Sequence, residues 1–274
     1  MEQISIAILG ATGRMGRLLC AETLNAADLA LVAAVVQPSS GQLGQDIGTI
    51  IGAGVTGIAC LDEADSALKL CDVAIDFTTP SAALNHARLA AEHKKPLVIG
   101  TTGLNDAEQS QLKSMAAHAP IFYAPNMSIG VYVMQQLLQQ AAWLLDPSYE
   151  MEIVEAHHNK KADAPSGTAL AMAKTMAGAR GIKFPEQATF GRHGHTGARP
   201  NDQIGIHTVR MGGVIGDHSA HFANDMERIE ISHRAIDRKL FVRGALSAAR
   251  WISAQKPGLY GMADMVKSGT VRQA

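Results

Sequence analysis

The chain has 274 residues, 47% of them hydrophobic and 18% charged, with a formal net charge of −1 at pH 7. That is enough for one large core or two moderate ones. With no block of like charge, nucleic acid and anionic membrane are excluded as expected partners. No apolar run is long enough to span a bilayer, and the acidic start MEQISIAILG does not resemble a signal peptide, so a cytoplasmic location is expected. Cys20, Cys60 and Cys71 show no CxxC spacing and are expected as reduced, partly buried thiols.

In chain order, Ile4 to Leu9 is a short apolar run ending in glycines, which predicts a buried parallel strand. RMGRLLCAETL follows with helical spacing at Met15, Leu18, Leu19 and Leu24. Leu29 to Val36 and Asp72 to Phe77 predict two further strands. PSAALNHARLAAEH predicts a helix with Pro80 in its first turn. PLVIGTTG reads as a strand running into a loop. NDAEQSQLKSMAAHA reads as a helix capped by Asn105 with Glu108 three residues on. IFYAPN is another strand. The alternation predicts an α/β fold with a doubly wound parallel, Rossmann-like sheet.

The pattern changes near Met127. MSIGVYVMQQLLQQAAWLL predicts a long helix in an interior or interdomain position, and YEMEIVEAHH alternates like a strand. SGTALAMAKTMAGA is a helix. QIGIHTVRMGGVIG, DHSAHFAN and MERIEISHRA read as consecutive antiparallel strands. KLFVRGALSAARWISAQ is a last helix before a loose tail. The expected domains are 1–127 joined by 238–274 for the dinucleotide, and a C-terminal α+β domain, 128–237, with a mixed or antiparallel sheet.

GATGRMG places Gly10, Gly13 and Gly16 between the first strand and helix. The three serve a tight turn, a close approach of backbone to pyrophosphate, and helix–strand packing, and the helix N-terminus offers N–H groups to phosphate. An acid about 20 residues on usually holds the adenosine ribose. Val36 and Gln37 stand there instead. No Lys or Arg lies between Arg17 and Lys69, so a 2′-phosphate is left with Arg14, Arg17, Gln37, Ser39 or Ser40. NADPH and NADH both stay open, with a lean toward NADPH or dual use.

EAHHNKKADAPSGTA, Glu155 to Ala169, bridges a strand end and a helix start. Pro165 forces its predecessor out of helical geometry. Ser166 then caps the helix, the Gly167 and Thr168 N–H groups point outward, and Lys160 and Lys161 add positive charge: an anion site for a small carboxylate. His157 and His158 add donors that titrate near neutral pH and can protonate a carbanion-like centre after hydride arrives.

VEAHHNKKADAPSGTAL resembles the signature of the 4-hydroxy-tetrahydrodipicolinate (dihydrodipicolinate) reductase family, and the similarity runs over nearly the whole chain. It takes in GATGRMG, DFTTP, VIGTTG, YAPNMSIGV, GVIGDHSAHFA and ERIEISHRA. The resemblance implies hydride transfer from NAD(P)H to a cyclic imine dicarboxylate in lysine and diaminopimelate biosynthesis. It implies that His157 is the proton donor and Lys161 a catalytic lysine that also holds a carboxylate. His158, Ser166, Gly167 and Thr168 are implied as substrate contacts. Gly10, Ala11, Thr12, Gly13, Arg14 and Met15 are implied at the pyrophosphate and Gln37 at the adenosine end. Gly100, Thr101 and Thr102, with Ala124, Pro125, Asn126 and Met127, are implied at the nicotinamide. It also implies a last helix returning to the first domain and a homotetramer built through the second domain's sheet. Family members end the second strand in an acid followed by a base, from which Val36 and Gln37 depart.

His193, His195 and His207 include an H-x-H pair, but no neighbouring cysteine or carboxylate completes a metal set. A solvated loop and no metal are expected. His86, His93 and His118 are expected on helix surfaces. Two rival functions remain. A semialdehyde dehydrogenase needs a thiolate nucleophile, and no cysteine lies in the His-His-Lys segment. A non-catalytic dinucleotide sensor needs the glycine loop but not the donor cluster.

Overall fold

The computed structural model describes residues 3–269. Residues 1, 2 and 270–274 of the expected first domain lie outside them. The chain forms two compact units, 1–129 with 239–274, and 130–238.

The first unit contains β1 (Ile4–Leu9), α1 (Arg14–Asn25), β2 (Leu29–Val35), α2 (Ile47–Ile51), β3 (Cys60–Leu61), α3 (Ala64–Leu70) and β4 (Val73–Asp76). It continues through α4 (Pro80–His93), β5 (Leu97–Ile99), α5 (Asp106–Met115) and β6 (Pro120–Tyr123). The second contributes α6 (Ile129–Leu144), β7 (Glu150–His157), α7 (Gly167–Arg180), β8 (Ala188–Phe190), β9 (Ile204–Arg210), β10 (Asp217–Ala223) and β11 (Arg228–Arg234). The chain closes with α8 (Lys239–Ile252), β12 (Gly258–Tyr260) and α9 (Met262–Lys267) in the first unit.

The first sheet runs β12-β6-β5-β4-β1-β2-β3, with every pairing parallel. Helices cover both faces. Ala7, Leu9, Ala74 and Ile99 pack with Leu68 of α3, Ala87 of α4 and Leu112 of α5, while α8 lies against β4, β5, β6 and α1. Burial on both sides explains why the strands are continuously apolar rather than alternating. Each buried Ile or Leu stabilises the unit by roughly 1.5–3 kcal/mol. Gly244 of α8 passes so close to the Met127 carbonyl that a Cβ there would lie 1.8 Å from its oxygen. Asn105 and Glu108 form the predicted capping box.

The second sheet is mixed, ordered β11-β10-β7-β9-β8. β10 is antiparallel to β7 and β11, whereas β7, β9 and β8 run parallel. Here the structure corrects the sequence reading: β9 and β10 follow each other in the chain but do not pair, because β7 lies between them. Met151, Ile153, Ile206 and Phe222 pack on Met172 and Met176 of α7 and on Met134 and Leu138 of α6.

Two other expectations are corrected. α6 is interior on one side only, since Val133, Leu137, Trp143 and Leu144 are exposed. The segment after α8 is no loose tail: β12 joins β6 at the sheet edge, and α9 follows. Among the described residues no helix is long and apolar enough to cross a membrane.

Candidate active site

The second unit concentrates its polar core at one end of the sheet. Pairing sets His233 beside His218, His218 beside Glu155, and Glu155 beside Thr208. Paired residues share a face, so four polar side chains form a row on the side that α7 covers. Glu155 alternates with Met151 and Ile153 and is fully buried. Its carboxylate accepts from His157 Nδ1 at 2.5 Å, Ser166 N at 3.1 Å, Thr208 Oγ1 at 3.2 Å, and Arg210 Nη1 and Nη2 at 3.0 Å each. Burial pushes the Glu155 carboxyl up, but the bonds from Arg210, His157 and Ser166 outweigh it and hold it below the usual carboxylate range.

This network aims His157. With Nδ1 on Glu155, the ring turns Nε2 toward Gly216, where a Cβ would stand 3.1 Å from that nitrogen. Burial lowers the His157 pKa, the Glu155 bond raises it, and the charges of Lys161 and Arg210 lower it, leaving it below the ordinary value. A neutral ring that takes up and releases a proton at Nε2 is suited to general acid–base work. His218 lies edge-on to His157 at 5.2 Å between centroids and shares a 3.1 Å bond with Ser166 Oγ through Nε2. Burial, then the charge of His157, pushes His218 down to about 4.

Ser166 caps α7 by accepting from Ala169 N at 3.2 Å. Gly167 and Thr168 open the helix; Gly167 is exposed, and the space a Cβ would fill there is open. Lys161 is turned back by a bond from its amide to the His158 carbonyl, and its Nζ pairs with Asp163 at 2.9 Å. His158 Nδ1 is buried with no hydrogen-bond partner. The structure thus brings together His157, Ser166 and the start of α7, with Lys161 on the connecting turn. Sequence reading left Glu155, Thr208, Arg210 and His218 without roles. Glu155 was detectable as a lone carboxylate on the apolar side of an alternating strand.

Stability should fall in acid, and the sign follows from the histidines. The unfolded chain protonates His218 near its ordinary 6.5, while the folded ring resists until about 4. Below pH 6.5 the unfolded state therefore binds the extra proton, and folding weakens as pH drops toward 4. Burial lowers His233 as well. Glu152 adds to the loss lower down. Burial raises its pKa, but Arg192, Arg199 and His207 bring it to about 2, so its contribution is lost as pH falls below the ordinary carboxylate value. Urea unfolding should give roughly 2 kcal/mol less stability at pH 5 than at pH 7, and His218→Gln should flatten that difference. Equal stability at both pH values would contradict this.

The first unit carries a cleft of about 490 Å³ at the carboxyl edge of its sheet, the position where open α/β sheets bind ligands. Gly10, Thr12, Gly13 and Gln37 line it, together with Val36, Phe77, Thr78 and His86. Its glycines fit a dinucleotide. Gly10 has φ +84°, and a Cβ there would meet the Phe77 carbonyl at 2.8 Å. Gly13 caps α1 without a side-chain hydrogen bond. A Cβ on Gly16 would fall 2.1 Å from the Gly10 carbonyl oxygen, so only glycine lets α1 pack on the loop. Ala11 is buried, Met15 half-buried and Arg14 exposed.

The remaining cofactor candidates follow β5 and β6 at the same edge and are not among the residues that line this cleft. Gly100 underlies the Phe77 ring, which a Cβ would overlap at 2.2 Å. Thr101 is buried and donates to Asp76 at 2.6 Å. Thr102 and Pro125 are exposed, Ala124 and Met127 buried, and Asn126 accepts from Ser128 N at 2.9 Å. His86 departs from its expected surface position: it is half-buried and holds the buried Asp76 through Nδ1 at 2.5 Å. His93 pairs with Asp65 at 2.6 Å, and His118 is exposed in the turn after α5. His207 bonds Glu152 at 2.7 Å, a carboxylate also held by Arg192 and Arg199.

A parallel sheet with a glycine-lined cleft, together with a carboxylate-braced histidine on a separate mixed sheet, defines a pyridine-nucleotide oxidoreductase. The cysteines speak against thiolate chemistry: all three are buried, and burial pushes Cys20 up to about 12 and Cys71 up to about 11. The family model for dihydrodipicolinate reductase, N-terminus, matches residues 4–127, and that for its C-terminus matches residues 130–266. A 4-hydroxy-tetrahydrodipicolinate reductase from Magnetococcus marinus is 43% identical over 263 residues, 96% of this chain and 98% of that protein. A dipicolinate-bound dihydrodipicolinate reductase from Paenisporosarcina sp. TG-14 superposes with a TM-score of 0.74 at 26% identity, covering 94% of this chain and 97% of that one. An amine dehydrogenase from Mycobacterium smegmatis shares the fold at TM-score 0.61 and 14% identity, covering 93% and 94%. The chain belongs to the dihydrodipicolinate reductase family, whose members use NAD(P)H.

Proposed function

We propose that the protein reduces 4-hydroxy-tetrahydrodipicolinate, or its dehydrated ring, to tetrahydrodipicolinate in lysine and diaminopimelate biosynthesis. The Glu155–His157 pair beside the capped start of α7 is the observation that carries this reading. Gly10 to Met15 and Gln37, with residues 100–102 and 124–127 at the nicotinamide end, would hold NAD(P)H, which when bound would supply the hydride. His157 supplies the balancing proton from Nε2 while Glu155 holds the opposite nitrogen. A substrate carboxylate sits on the Gly167 and Thr168 N–H groups at the start of α7, where the helix dipole favours an anion. Lys161 closes on it by exchanging Asp163 for the substrate, and Ser166 and His158 complete the contact. In this reading residues 1–127 with 238–274 hold the cofactor, and 128–237 hold the substrate. The outer sheet face exposes Val154 and Val209, which suits assembly as a homotetramer through that sheet. A cytoplasmic location fits a biosynthetic reductase.

The Paenisporosarcina relative binds dipicolinate, a planar stand-in for the substrate's two carboxylates. A charge-assisted bond contributes roughly 1.5–3 kcal/mol. Lys161→Ala should therefore weaken dipicolinate by roughly tenfold or more in calorimetric titration with cofactor present, and added salt should weaken the wild type. Thr168→Ala should matter less, because the backbone N–H remains. Dipicolinate binding Lys161→Ala as tightly as the wild type would move the anion site elsewhere.

A further inference from the structure

The adenosine end of a Rossmann cleft usually meets a carboxylate at the end of the second strand. Here that strand ends at Val35, and Val36 and Gln37 follow it. The neighbouring strand supplies the acid instead. β3 pairs parallel with β2, placing Cys60 beside Ala34 and Leu61 beside Val35. The Val36 amide donates to the Leu61 carbonyl at 2.8 Å. Asp62 therefore leaves the sheet at the same edge as Val36 and Gln37, and it lines the same cleft as Gly10, Gly13, Gln37 and Ser40.

The charge around it is one-sided. Asp62 is the one acid among the residues lining the cleft, and no lysine or arginine lines it. His86, the one titratable base there, is bound to Asp76. Arg17, a sequence candidate for a 2′-phosphate, gives Nε to the Thr12 carbonyl at 2.9 Å and Nη1 to the Ile50 carbonyl at 3.1 Å.

We propose that Asp62 is the residue that selects the cofactor. Its carboxylate accepts from the adenosine ribose hydroxyls of NADH and repels the 2′-phosphate of NADPH, so the enzyme prefers NADH. This reverses the lean toward NADPH drawn from the bare end of β2, and it rests on the cleft being the dinucleotide site.

The test compares kcat/KM for NADH and NADPH in the wild type, Asp62→Asn and Asp62→Lys, at low and high salt. A unit charge facing a phosphate across a solvated cleft is worth roughly tenfold or more. The wild type should favour NADH by about that factor, and salt should narrow the gap because it screens the repulsion. Asp62→Asn should remove the preference, and Asp62→Lys should invert it, with the change carried by KM. Equal losses with both cofactors would place Asp62 on the shared adenine edge and overturn the proposal, as would an unchanged ratio. Direct fluorescence titration of the wild type separates the two levels: binding of neither cofactor would sink the dinucleotide reading itself, whereas binding without the Asp62 effect sinks this proposal alone.

Discussion

Replacing His157 by alanine is expected to lower kcat by roughly 10²-fold or more, the range for losing a general acid, with little change in cofactor affinity. The reason is geometric. His157 is the titratable ring whose Nδ1 is held by a buried carboxylate and whose Nε2 faces a glycine. To donate, Nε2 must carry the proton. Burial keeps the pKa of this ring below 6.5, so kcat/KM should decline as pH rises through a value on the acid side of neutrality. The alanine variant should lose that limb. An unchanged kcat would remove His157 from the chemistry.

Glu155→Ala should cost about 3–5 kcal/mol, the range for removing one partner of a buried charged network. Arg210 would lose two bonds, and the Ser166 amide, the Thr208 hydroxyl and His157 one each. Glu155→Gln keeps the shape and separates packing from charge. Glu155 raises the pKa of His157, so the amide should move the decline of kcat/KM with rising pH to lower pH. Urea unfolding reads the first effect and the pH dependence of kcat/KM the second. Wild-type stability in Glu155→Ala, with an unmoved limb in Glu155→Gln, would show that Glu155 neither braces the site nor tunes it.

The fold was most legible where burial is two-sided. β1, β2 and β4 are short apolar runs closed by glycine or polar residues, and such runs have few alternative homes. α4 and α5 announced themselves through Pro80, Asn105 and Glu108 at their starts. What escaped depends on partners distant in sequence. β3 spans two residues and exists because Cys60 and Leu61 pair with β2. β12 is three residues long and is held by β6, 138 positions earlier for Gly258 and Pro120. The order of β9, β7 and β10 is likewise invisible locally, since consecutive strands usually pair and these do not.

The candidate site divides the same way. His157, Lys161, Ser166 and Gly167 sit in one run, so chain connectivity alone keeps them near each other. Arg210 and Thr208 reach Glu155 from 55 and 53 residues away, and His218 reaches Ser166 from 52. Only strand register brings them in. Asp62 is the sharpest case. In sequence it follows Cys60 and Leu61, to which the local pattern assigns no strand, and only the pairing of β3 with β2 puts it at the cleft.

Oxidation of reduced nicotinamide, followed by absorbance with the purified protein and freshly generated 4-hydroxy-tetrahydrodipicolinate, tests the central claim most directly. Turnover that requires the cyclic imine, proceeds with NADH or NADPH, is inhibited by dipicolinate and collapses in His157→Ala is the predicted result. Cofactor binding without any substrate-dependent oxidation would contradict it and leave the chain a dinucleotide-binding protein without this activity.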